Sequence, residues 1–141
     1  MASDPPCLQP GKVLYLNVQF PHETEAHDKY LVLAGMTVRP LLLKINTADK
    51  QSKRSEILKE FQFRLRQTDY PGFLHYDSYL NCGAVWDFLT TKEVVDQWTA
   101  DPKRLVGEIL RPHQDEIINL TRQSKSISSM HKDAIAKALQ R

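Results

Sequence analysis

The sequence predicts an α+β fold: a small, strongly bent sheet or barrel with helices packed on it. Two observations carry this. Short runs rich in leucine, β-branched and aromatic residues, separated by Pro, Gly and charged loops, fill the first two-thirds of the 141 residues. Beyond them the apolar residues take helical spacing. At 41% hydrophobic and 26% charged, the chain can bury one core and stay soluble. Residues 1–11 are expected as an irregular arm and 12–141 as one domain, mainly β over 12–90 and helical over 91–141.

The elements follow in order. The Pro-rich start ends at Gly11, and KVLYLNV (12–18) reads as a strand. QFPHETEAHD is a polar loop. KYLVLA (29–34) is a buried strand, Gly35-Met36-Thr37 a turn, and LLLKIN a further strand opened by Arg39-Pro40. TADKQSKRS is a charged loop after which Ser55 caps a short helical turn, SEILKEF. FQFRLR alternates apolar and polar residues, as a strand or as the end of that helix. Pro71-Gly72 is a turn, Asp77-Ser78 opens an apolar strand, and Asn81-Cys82-Gly83 breaks it before the run from Val85 to Leu89. Helical spacing then sets in, with Thr91 as a cap, Pro102 as a helix starter, Ile117, Ile118 and Leu120 on one face, and Ser128 or Ser129 capping a last helix whose Met130, Ile135 and Leu139 lie roughly on one side.

Several chemistries are excluded or disfavoured. No phosphate-cradling glycine loop and no nucleophile elbow occurs. His75, Asp77 and Ser78 are too close along one strand to form a triad, because alternate side chains leave on opposite faces. His22 and His27 sit among Glu23, Glu25 and Asp28, which reads as a solvated acidic loop rather than a metal site. Two cysteines, Cys7 and Cys82, make no disulfide framework and fit a reduced, cytoplasmic setting. The start has no apolar signal segment, and no run approaches the roughly 20 apolar residues that span a bilayer. The net charge of +2 neither demands nor excludes nucleic acid. The loop after Thr47 carries Lys50, Lys53 and Arg54, cations that suit a phosphodiester, and Arg64 and Arg66 extend that surface. Tyr15, Tyr30, Tyr76 and Tyr79 offer faces for base stacking.

The order of elements resembles the MazF/PemK/Kid family of toxin endoribonucleases. The resemblance runs from Gly11-Lys12-Val13-Leu14-Tyr15 through Lys29-Tyr30-Leu31-Val32-Leu33 and Leu43-Lys44-Ile45-Asn46-Thr47. It continues through Asp77-Ser78-Tyr79-Leu80, Ala84-Val85-Trp86-Asp87-Phe88 and Pro102-Lys103-Arg104-Leu105-Val106-Gly107. It implies an antiparallel sheet or SH3-like barrel, a homodimer, a cognate antitoxin protein, and single-stranded RNA as substrate. The implied cleavage uses the ribose 2′-OH as nucleophile and needs neither metal nor cofactor. The family's catalytic Arg aligns with Lys29, or alternatively with Arg39, and its hydroxyl residue with Thr47. Lys50, Lys53, Arg54 and Arg64 would hold the RNA backbone, with Asp77 and Ser78 at the groove edge. A binding module without catalysis, for nucleic acid or protein, is the alternative on the same scaffold.

Overall fold

The computed structural model describes residues 5–47 and 61–140. Six strands form one antiparallel sheet, curled into a half-barrel, in the order β4-β5-β3-β2-β1-β6. They are β1 (Lys12–Val18), β2 (His27–Met36), β3 (Pro40–Thr47), β4 (Gln62–Leu65), β5 (Ser78–Asn81) and β6 (Leu105–Glu108). Three helices follow among the described residues: α1 (Thr91–Ala100), α2 (Arg111–Gln123) and α3 (Ser129–Leu139). The expected α+β class with a bent sheet is thus what the chain adopts, with β4 and β6 as the outermost strands among the described residues.

Strand alternation feeds two cores, one on each face. Val13, Val32, Ala34, Leu41, Leu43, Ile45 and Leu80 bury against Ile117 and Ile118 of α2 and Ile135 and Leu139 of α3. Leu14, Leu16, Val18, Leu31, Leu33 and Leu42 bury on the other face with Phe20, Leu89 and Val94 of α1. Continuous apolar runs such as YLVLA follow from this, because both faces of the central strands are covered. The N-terminal stretch is less irregular than expected. Pro6–Leu8 forms a 3₁₀ turn that buries Cys7 and Leu8 in the second core.

Several local expectations shift. β2 runs through Gly35 and Met36, past the predicted turn, because Gly35 pairs with Leu41 and Met36 with Pro40. FQFRLR resolves as a strand over Gln62–Leu65, since it has β5 to pair with. The cap of α1 is Thr90, not Thr91. The Thr90 hydroxyl accepts from the Glu93 amide while the Glu93 carboxylate accepts from the Thr90 amide, a reciprocal capping box. Pro102 starts only the 3₁₀ turn Pro102–Arg104, after which Leu105–Glu108 pairs with β1 as an edge strand rather than continuing a helix. Val85–Leu89 forms no strand; it pairs with the sheet through an isolated Leu42–Trp86 bridge and buries Leu89 in the second core. Ser128 caps α3 as expected, but Met130 is exposed. The predicted helical turn at Ser55 lies outside the described residues.

Candidate nucleic-acid interface

The two cations offered for catalysis separate cleanly. Arg39 lies in the β2–β3 hairpin, where its guanidinium donates to the Phe88 carbonyl at 3.4 Å. The eight residues of β3 put Thr47 roughly 25 Å from it at about 3.3 Å per residue. Arg39 therefore cannot share a site with Thr47. Lys29 sits at the same end as Thr47 but not on the same face: the β2–β3 ladder reaches the pair Leu31–Lys44, two residues further along come Lys29 and Asn46, and the Thr47 position, one step past Asn46, alternates to the other side. Thr47 closes β3 opposite Ser78. Lys50, Lys53 and Arg54 lie outside the described residues.

Asp77 and Ser78 do structural work. One Asp77 carboxylate oxygen accepts from the Gln67 amide at 2.8 Å, and the other pairs with Arg64 at 2.6 Å. Asp77 thereby closes the excursion between β4 and β5. The Gln67 amide first, and the Arg64 guanidinium next, hold its carboxyl below the usual aspartate range, while the Asp77 carboxylate pushes Arg64 up. Ser78 is buried and donates to the Tyr76 carbonyl at 3.2 Å. It helps line a cavity of about 70 Å³ with Tyr30, Ile45, Phe73, Leu74 and Tyr76, which Asn46 also borders where β3 gives out. Cys82 is no nucleophile: burial pushes its thiol up to about 12. Among the described residues no group of three metal-ligating side chains occurs.

Alternation sorts the rest by face. Leu42, Lys44 and Asn46 leave β3 on the side of the α1 core, and Asn46 pairs with Tyr79, which pairs with Arg64. Asn46, Tyr79 and Arg64 therefore form a polar row across three neighbouring strands, in line with Lys29 on a fourth. Such a row breaks the apolar pattern of the sheet toward β4. Beside it Phe20, His22, Trp86 and Phe88 form an aromatic cluster, with Trp86 edge-on to Phe20 at 4.8 Å. The Lys44 ammonium lies 4.4 Å over the Phe20 ring. Glu23 lies within electrostatic reach of both Lys44 and Lys29. Of the stacking candidates, Tyr15 and Tyr30 stack on each other at 4.4 Å, Tyr76 is largely exposed, and Tyr79 is half-buried in the row.

Sequence reasoning missed Asn46 and Trp86. Asn46 is only 4% exposed. Its Nδ2, like the buried Nε1 of Trp86, has no hydrogen-bond partner among the described residues. The signal was present in the alternation of LLLKIN, which sets an Asn on the face opposite Ile45 at the end of an otherwise apolar strand. No family profile and no curated protein matches the chain.

Proposed function

We propose that the protein is a toxin-like endoribonuclease that acts on single-stranded RNA at the Lys29–Thr47 end of β2 and β3. What supports this reading is the polar row of Lys29, Asn46, Tyr79 and Arg64 across the ends of four strands, with Thr47 ending β3 next to it, one position past Asn46 and in register with Ser78. The chemistry asks little of the protein. The substrate's 2′-oxygen bonds to the adjacent phosphorus, the bond from phosphorus to the 5′-oxygen breaks, and the products are a cyclic phosphate and a 5′-hydroxyl. The 2′-OH loses a proton and the leaving oxygen gains one. Lys29 stabilises the negative charge that builds on the phosphoryl oxygens, and Thr47 contacts the RNA where it passes the end of β3. A homodimer and an acidic antitoxin complete the proposal.

Cleavage of a single-stranded RNA in excess chelator, leaving cyclic phosphate ends, tests it. Lys29→Ala should slow cleavage by about a hundredfold or more if one charge-stabilising donor is lost, whereas Arg39→Ala should leave the rate within about twofold. Intact RNA at high protein concentration would overturn catalysis.

A second reading is binding without cleavage. It is favoured by the ammonium of Lys29, which cannot grip a phosphate in two places as a guanidinium does. The ion pair of Arg64 with Asp77 points the same way. Salt-dependent RNA binding with no cyclic phosphate selects it.

A further inference from the structure

We infer that a cavity between the β2–β3 hairpin and α3 binds a small amphipathic carboxylate, an apolar chain with one anionic head. The cavity measures about 740 Å³. That lies in the range of small-molecule sites, which are apolar clefts with a few placed polar groups. Four segments build it: the N-terminal turn, the hairpin, the first residue of α1 and the later turns of α3. It lies at the opposite end of β3 from Thr47, so it is separate from the RNA site proposed above. Leu8, Pro10, Met36, Val38, Ala134 and Ala138 make its walls apolar. The two alanines are too short to fill the space. Val38 is 92% exposed and Met36 37%, so the rim holds two of the large apolar side chains that folding leaves in water. An alkyl chain laid in the cavity covers them.

The polar groups at the cavity set the sign of the head. Among the described residues that line it, the one charged side chain is Lys137. Its ammonium is exposed and makes no ion pair among the described residues, so a ligand can reach it. The Thr91 hydroxyl donates to the Met36 sulfur at 3.9 Å. A thioether is a weak acceptor, and a carboxylate oxygen takes that proton in preference. Thr91 is also the first residue of α1, so the positive end of that helix lies beside the cavity. An ammonium head would find no carboxylate among these lining residues and would meet the like charge of Lys137.

The test titrates the full chain with decanoate, kept below its micelle concentration, and needs no RNA. Decanoate should shift the methyl resonances of Ala134, Ala138 and Val38 and raise the Tm as the site fills. Decylamine, the matching chain with a cationic head, should bind about tenfold or more weaker. Lys137→Glu should weaken decanoate by about tenfold and strengthen decylamine. Ala138→Phe, which fills the cavity, should abolish decanoate binding without lowering the Tm of the unliganded protein. No response of the wild type to decanoate overturns the site. Equal binding of decylamine, or undiminished binding of decanoate to Lys137→Glu, overturns the anionic head. Undiminished binding to Ala138→Phe puts the alkyl chain elsewhere and overturns the cavity. Should Ala138→Phe lower the Tm, the Lys137→Glu reversal and the methyl shifts decide the matter.

Discussion

Asp77 shows how a residue that looks functional in sequence is spent on structure. An aspartate and a serine at the mouth of an apolar strand read equally as a catalytic edge or as a strand-opening turn. The fold gives Asp77 two donors, the Gln67 amide and the Arg64 guanidinium, and buries Ser78 with its hydroxyl on the Tyr76 carbonyl. The consequence for pH follows from the direction of the shift. Folding lowers the Asp77 carboxyl, so its stabilisation is present above the ordinary aspartate value of 3.8 and is lost as the pH falls through the lower folded value. Asp77→Asn keeps an oxygen for the Gln67 amide but cannot titrate. Urea unfolding of wild type and Asp77→Asn between pH 6 and the acid limit, estimated as about pH 2, should therefore show a shallower acid loss in the variant. Equal slopes would mean that Asp77 is not held as the geometry indicates.

At the scale of elements, helix α1 depends on its reciprocal cap. Thr90→Ala removes the acceptor for the Glu93 amide and should cost about 1 kcal/mol, read as a fall in Tm. Thr91→Ala, which removes no cap, should fall well short of that. Legibility followed the same distinction between local and distant causes. β1, β2 and β3 were readable because each carries its own apolar run between breakers. Thr90 was missed by one residue, although Glu93 stands three positions after it as a capping box requires. β6 was unreadable for a different reason. LVGE has no strong pattern of its own and becomes a strand because Lys12 and Val13 lie opposite Glu108 and Gly107. Pairing between ends of the chain that sit far apart leaves no trace in a local window. The candidate site divides in the same way. Lys29 was legible as a cation on a strand, and Thr47 as a strand end. The separation of Arg39 from Thr47 required the hairpin, and the shared face of Asn46 and Trp86 required a bridge across the sheet.

At the scale of the whole molecule, the two cores are not built alike. One face is sealed by α2 and α3, and α3 approaches β2 closely enough that a Cβ on Gly35 would meet the Ala134 carbonyl oxygen at 3.3 Å. The other carries α1 and the N-terminal turn, and gives way to polar side chains toward β4. Among the described residues no helix is long and apolar enough to cross a membrane. The central strands are laced along most of their length, β1 to β2 over Val13–Val18 and β2 to β3 over Leu31–Met36. β5 joins β3 only over Ile45–Thr47, with the lone bridge at Leu42 beyond it. That short stitching makes a seam. The β4–β5 hairpin can peel away there as a unit while the rest of the sheet stays closed. Amide hydrogens of Tyr79 and Leu80 should exchange together and sooner than those of Val32 and Leu43; if all exchange at one rate, the seam opens only with global unfolding. If the proposed RNA reading holds, a strand that grips both sides would act as a clasp, and its arrival would be felt first as slower exchange in that hairpin.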